Sequence, residues 1–167
     1  MVMVIRSAKK EDMGNILKVI ASDRSGNKWD RPLAEKYYKS KFNNICDCFE
    51  GDEVFVGVVN KKIVAVIGYC PDRLETKRSY WLGWFYVHKD YRDNKYGQTL
   101  LRKVINELKH IGARKLFVDT SSDPNYIKAV NFYLKNGFKL EAVLRDYYGK
   151  GEDQIIFGSR LGVRLKD

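Results

Sequence analysis

The chain has 167 residues, 44% hydrophobic and 31% charged, and carries 31 lysines and arginines against 21 aspartates and glutamates, a formal net charge of +10. That length suits one domain with a substantial core, residues 1–167, and no repeat, low-complexity run or linker asks for a second. The longest apolar runs fall far short of the roughly 20 residues that a membrane-spanning helix needs, and the N-terminus lacks a signal-peptide pattern, so a cytoplasmic protein without a membrane partner is expected.

A first strand ending near Ile5-Arg6 leads into a helix expected over residues 10 to 21. A polar loop with Ser25, Gly26, Asn27 and Trp29 precedes a second helix opened by Pro32, whose fixed backbone angle suits a first turn. Cys46, Cys48 and Cys70 make an odd number, and Cys-x-Cys without a second pair or a nearby histidine is poor metal geometry. Free thiols and no metal are expected. Strands from Val54 to Val59 and from Ile63 to Tyr69 flank the polar turn Asn60-Lys61-Lys62. Tyr80 to Val87 reads as an aromatic fourth strand in which Gly83 marks a bulge.

A basic, glycine-bearing loop then passes straight into an amphipathic helix. Leu100, Leu101, Val104, Ile105 and Leu108 form one stripe, opposite Arg102, Lys103, Asn106 and Glu107. Lys115 to Asp119 is a short, mostly apolar strand suited to the centre of a covered sheet. Ile127, Val130 and Leu134 stripe a last helix, which Asn136-Gly137 stops. Two closing strands complete an α/β pattern of seven strands and four helices, a mixed sheet with helices on both faces. The basic residues are dispersed in small clusters with no run of five, and aromatic RNA-binding signatures are absent, so a nucleic-acid partner is disfavoured.

Gly97 sits at the entrance of the striped helix. Unpaired N–H groups point out of a first turn, the helix dipole favours negative charge there, and Arg92 and Lys95 add two cations. A pyrophosphate fits such a site. The whole segment resembles the cofactor motif of the GNAT N-acetyltransferase superfamily, Arg/Gln-x-x-Gly-x-Gly/Ala after the fourth strand, with Arg92 and Gly97 matching and Lys95 in place of the middle glycine. A side chain at a position that asks for a left-handed backbone costs about 1 kcal/mol or more. Ala129, Tyr133, Gly137 and Phe138 match the second signature, an Ala-x-x-x-Tyr helix closed by Gly-Phe. Tyr147-Tyr148, the glycine-rich turn and Glu152-Asp153 are similar to the final hairpin of acetyltransferases that modify protein N-termini, the ribosomal-protein alanine enzymes among them.

The resemblance implies a three-layer α-β-α fold on a mixed, mostly antiparallel seven-stranded sheet. It implies acetyl-coenzyme A as cofactor, met by Phe85, Tyr86, Val87, Arg92, Asp93, Asn94, Lys95, Tyr96, Gly97 and Gln98, with Asn125 and Tyr126 near the place where many relatives carry an asparagine. An amine with a pKa near 10 is almost wholly protonated at neutral pH and cannot attack a thioester until a base takes its proton. Asp119, at the end of the fifth strand, is the position that matches the base of the N-terminal enzymes. Trp81 stands where other relatives have a glutamate, and His88 is expected on the surface. Tyr133 matches the proton donor to the departing thiolate. Trp29, Tyr147, Tyr148 and Asp153 would line the acceptor groove, with Asp23 and Asp30 as further anionic residues near it. The acceptor is an amine on a protein N-terminus, a lysine or a small molecule, and the protein a monomer or homodimer. A non-catalytic acyl-coenzyme A binding module and a basic nucleic-acid binder remain as alternatives.

Overall fold

Eight strands and four helices are formed by residues 2–22, 30–45, 49–74 and 76–162, the part of the chain that the computed structural model describes. They fall into two compact units, one made of residues 1–70 and 83–104 and the other of residues 71–82 and 105–167.

The first unit contains β1 (Val4–Ser7), α1 (Met13–Ile20), α2 (Arg31–Phe42), β2 (Glu53–Val59), β3 (Lys62–Pro71), β5 (Tyr86–Val87) and the first part of α3 (Tyr96–His110). All its pairings are antiparallel: β1 with β2 (Val4↔Val58), β2 with β3 (Phe55↔Ile67), and β3 with β5 (Ala65↔Val87). The β2–β3 hairpin closes on Asn60 and Lys61, both left-handed with φ of 48° and 63°. That is the backbone of a two-residue turn matched to strand twist. Strand alternation divides β2 between two layers. Val54 and Val56 pack with Val66 of β3, with Ile16, Val19 and Ile20 of α1, and with Ala34 and Tyr38 of α2. Phe55 faces the other way, and the Lys103 ammonium of α3 lies 5.3 Å from its ring centroid. Helices therefore cover both faces, and each fully buried aliphatic side chain contributes about 1.5–3 kcal/mol.

The turn from β1 into α1 is held by charge. Arg6 donates to both carboxylate oxygens of Asp12 at 2.6 and 2.9 Å, and the Lys9 N–H donates to Asp12 Oδ2 at 2.8 Å. The Arg6 guanidinium first, and the Lys9 amide after it, hold the Asp12 carboxyl below the usual carboxylate range against the opposing effect of burial.

The second unit contains β4 (Ser79–Leu82), the remainder of α3, β6 (Lys115–Ser121), α4 (Ile127–Lys135), β7 (Lys139–Gly149) and β8 (Glu152–Arg160). β4 runs parallel to β6 (Tyr80↔Leu116), while β6 with β8 (Asp119↔Ile156) and β8 with β7 (Leu144↔Gln154) are antiparallel. One parallel pair among antiparallel ones is the mixed pattern expected. α4 ends as its sequence demands: Gly137 has φ of 83°, its N–H donates to Leu134, and the Phe138 N–H reaches back to Tyr133.

Two readings of the sequence are revised. The fourth strand, expected to be continuous from Tyr80 to Val87, divides into β4 and β5, which raises the count among the described residues from seven to eight. At the break the Gly83 N–H donates to the Gly68 carbonyl at 2.8 Å, and the chain resumes pairing only at Tyr86. In α4 the expected Ile127–Leu134 stripe is about half exposed, and Tyr133 is the buried residue instead, packed on Phe138 and on Phe157 of β8. An aromatic ring on the face toward β8 fills that space better than the flanking aliphatics.

Tyr38 is fully buried, and its hydroxyl finds no hydrogen-bond partner among the described residues. An unsatisfied buried hydroxyl costs about 1–3 kcal/mol. Tyr38→Phe should raise the unfolding free energy by roughly 1 kcal/mol in urea titrations, and a lower midpoint would show that the hydroxyl has a partner after all.

Candidate active site

β5 is short, but its orientation is set by β3. The His88 N–H donates to the Val64 carbonyl at 2.8 Å. In an antiparallel pair the N–H and C=O of one residue point the same way and successive residues alternate. Val87 therefore turns both backbone groups away from β3, and its carbonyl accepts a hydrogen bond from Arg92 Nε at 3.2 Å. His88 caps the short turn that follows, its Nδ1 accepting the Asp90 N–H.

The loop then reverses into α3 through two left-handed residues, Asp93 with φ of 65° and Lys95 with φ of 60°. Asn94 braces it by donating from Nδ2 to the carbonyls of Tyr91 and Arg92 at 3.3 and 3.0 Å. α3 begins at Tyr96, and the backbone and hydroxyl of Thr99 both donate to the Lys95 carbonyl at 3.1 Å. Gly97 and Gln98 lie in the first turn, where N–H groups have no acceptor within the helix. Arg92 is half-buried and Lys95 exposed. First-turn N–H groups, a tethered guanidinium and an exposed ammonium gathered on one loop suit a diphosphate. Phe85, Tyr86, Val87 and residues 92–98 are thus brought together in one unit, as the sequence implies.

Asn125 and Tyr126 belong to the other unit. The Asn125 N–H and Nδ2 both donate to Asp123 Oδ1, at 2.8 and 2.7 Å, which starts the turn into α4. Tyr133 is buried by Phe132, Phe138 and Phe157. Burial above all, and the charge of Asp119 second, raise its phenol above the ordinary tyrosine value. No hydrogen bond to its hydroxyl is found among the described residues. Trp81 is tied elsewhere: its Nε1 donates to Asp72 at 2.8 Å and its ring stacks on Phe117.

Asp119 is exposed on β6, and its Oδ2 accepts from Gln154 Nε2 at 2.8 Å and from the Tyr148 hydroxyl at 3.3 Å. Burial first, then the charge of Asp119, pushes the Tyr148 phenol up to about 12. Tyr147 meets Tyr148 edge to face at 5.0 Å. Asp153 turns inward to the hairpin, accepting the Asp146 N–H at 2.9 Å with Arg145 3.7 Å away. Asp30 accepts a hydrogen bond from the Tyr86 hydroxyl. Trp29 and Asp23 lie outside the described residues, as do Cys46 and Cys48. Among the described residues, no group of three or more His, Cys, Asp or Glu is placed to hold a metal ion. The sequence reading names Asp119 and Tyr148 separately and misses Gln154. Only the β6–β8–β7 register joins the three.

The sequence profile of the acetyltransferase (GNAT) family matches residues 17–138. No curated protein matches the chain by sequence. Among solved structures, a GNAT-family protein from Desulfovibrio desulfuricans is similar over 96% of this chain and 100% of its own, with a TM-score of 0.87 at 23% identity. A ribosomal-protein alanine N-acetyltransferase from Escherichia coli gives 0.77 at 20% identity, covering 99% and 98% of the two chains. An aminoglycoside 6′-N-acetyltransferase complexed with coenzyme A gives 0.76 at 14% identity, covering 98% and 99%. At these identities the likeness establishes the fold.

The left-handed backbone at Lys95 yields a stability prediction. Lys95→Gly should raise stability by roughly 1 kcal/mol, whereas Lys95→Ala, which keeps the Cβ, should gain nothing. Thermal and urea unfolding of both variants check this, and a loss of stability in the glycine variant contradicts the strain.

Proposed function

The chain belongs to the acetyltransferase (GNAT) family, and from that premise we propose that it transfers the acetyl group of acetyl-coenzyme A, the family's cofactor, to a primary amine by direct attack in a ternary complex. The acceptor is a protein N-terminus, a lysine or a small-molecule amine. Residues 1–167 act as one acetyltransferase domain, in the cytoplasm, as a monomer or homodimer. In support of one domain, the family match runs across segments of both units, and no helix among the described residues is long and apolar enough to cross a membrane.

The observation that carries the reading is the left-handed turn into α3, with Arg92 anchored on the Val87 carbonyl. Acetyl-coenzyme A, when bound, supplies the acyl group as an activated thioester. Arg92, Lys95 and the first-turn N–H groups of α3 would hold its pyrophosphate by charge and hydrogen bonding. The Val87 N–H, directed away from β3, would be the donor for the acetyl carbonyl. Asp119 would take the proton from the acceptor ammonium. Tyr133, whose raised phenol keeps its proton across the working pH range, would donate to the departing sulfur. Its hydroxyl, without a partner among the described residues, is consistent with a donor held in reserve. Tyr147 and Tyr148 offer aromatic surface to the acceptor.

The non-catalytic reading is favoured by two features of the sequence, Lys95 in place of the motif's middle glycine and Trp81 where the resemblance puts a glutamate. Thiol release from acetyl-coenzyme A separates the two. The acceptors are a peptide with a free alanine N-terminus, its N-terminally blocked lysine counterpart, spermidine and an aminoglycoside. Release with at least one of them is expected, and Tyr133→Phe should lower kcat about 100-fold while leaving cofactor affinity within about twofold. Cofactor binding without release for any acceptor would establish the non-catalytic module, and an unchanged rate in Tyr133→Phe would remove that residue from the chemistry.

A further inference from the structure

We propose that Gln154 is a positioning residue for acetyl transfer: its side-chain amide and the Tyr148 hydroxyl together fix one oxygen of Asp119, leaving the other to take the proton of the acceptor ammonium. The inference rests on the reading of Asp119 as base.

Three strands build the arrangement. Asp119 on β6 pairs with Ile156 of β8, and Gln154 lies two residues along from Ile156, so Asp119 and Gln154 are diagonal neighbours on one face of the sheet. Tyr148 comes from β7, whose pairing with β8 shifts register between Leu140 and Ala142, runs from Ala142↔Ile156 to Leu144↔Gln154, and resumes at Gly149↔Glu152. Between those points the strand makes an excursion through Asp146, left-handed with φ of 52°. The excursion is anchored twice, by the Gly151 N–H on Asp146 Oδ1 at 2.6 Å and by the Asp146 N–H on Asp153 Oδ1 at 2.9 Å. It delivers the Tyr148 hydroxyl to Asp119 Oδ2.

The three polar groups close a ring. Gln154 Nε2 donates to Asp119 Oδ2 at 2.8 Å and lies 3.5 Å from the Tyr148 oxygen, whose own proton goes to Asp119 Oδ2 at 3.3 Å. A carboxylate on an exposed strand end otherwise rotates among many orientations. Two donors on one oxygen select a single orientation and leave Oδ1, which accepts nothing among the described residues, as the basic atom. In the transfer, an N–H bond of the acceptor ammonium breaks and an O–H bond forms at Asp119; the freed nitrogen pair then forms the C–N bond as the C–S bond of the thioester breaks, the sulfur takes the Tyr133 proton, and the nitrogen's surplus proton replaces it. Gln154 suits its place because it donates without adding charge beside the base. The titratable groups that bear on Asp119 within this unit are Tyr148 of β7 and Tyr133 of α4. Glu152 and Asp153 of β8 are engaged with Ser121 and with the hairpin.

The experiment compares Asp119→Asn, Gln154→Leu and Gln154→Glu, using acetyl-coenzyme A and the alanine N-terminal peptide as probes, with unfolding midpoints recorded for each. Asp119→Asn should lower kcat at least about 100-fold. Gln154→Leu should lower kcat about 10-fold with the KM for acetyl-coenzyme A unchanged. Gln154→Glu, which places a second carboxylate beside the base, should move the acidic limb of the pH–rate profile upward by about one unit. Wild-type rates and profiles in both Gln154 variants, alongside a disabled Asp119→Asn, overturn the positioning role alone. An active Asp119→Asn overturns the base and Gln154 with it. Independently of turnover, the side-chain amide resonances of Gln154 in nitrogen-proton NMR spectra should shift in Asp119→Asn, and an unmoved pair overturns the contact.

Discussion

Eight residues separate Val87 from the start of α3 at Tyr96, and the candidate cofactor site depends on how the backbone reverses across them. The helix can present its first-turn N–H groups beside β5 only if the loop between them is tight. A tight loop requires left-handed residues, here Asp93 and Lys95. Neither is glycine, so the fold bears a local conformational cost of about 1 kcal/mol or more at each. Arg92 helps to hold the loop closed by binding back to the strand it has just left, and Asn94 braces the turn from within. Strain at a position whose side chain carries a positive charge is consistent with a loop shaped for an anion and not for stability alone.

The second unit meets a different requirement, the placement of a carboxylate. β6 delivers Asp119 to an exposed strand end, and β8 and β7 return to it with Gln154 and Tyr148. Asp153, which the sequence places near the acceptor, and its hairpin neighbour Asp146 are both engaged in shaping the excursion that carries Tyr148. Their charge is structural capital for the hairpin. Tyr133 is handled in a third way, with its ring secured by three phenylalanines and its hydroxyl left without a partner among the described residues.

Local chemistry made much of this legible in advance. The helix stripe from Leu100 to Leu108, the Asn60-Lys61 turn and the Gly137 stop are each written in a few adjacent residues, and each appears where periodicity and turn chemistry place it. The need for a left-handed backbone at Lys95 could be inferred because the family pattern has glycine there. Less legible was anything set by partners distant in sequence. The break of the fourth strand after Leu82 depends on Gly68, and the burial of Tyr133 in place of Ile127 and Leu134 depends on Phe157. The ring of Asp119, Tyr148 and Gln154 depends on a strand register spanning 35 residues between Asp119 and Gln154. Gln154 follows Asp153 and precedes two isoleucines, a context that gives no sign of its contact.

In the proposed function the loop from Arg92 to Gln98 holds the pyrophosphate of acetyl-coenzyme A. Isothermal titration of the protein and of Arg92→Ala with acetyl-coenzyme A, with dephospho-coenzyme A and a DNA duplex as comparators, tests it most directly. Micromolar binding of acetyl-coenzyme A is expected, with binding of dephospho-coenzyme A through the same pyrophosphate, a loss of at least about tenfold in Arg92→Ala, and no comparable affinity for the duplex. Absence of acetyl-coenzyme A binding at physiological salt, or equal binding in Arg92→Ala, would contradict it.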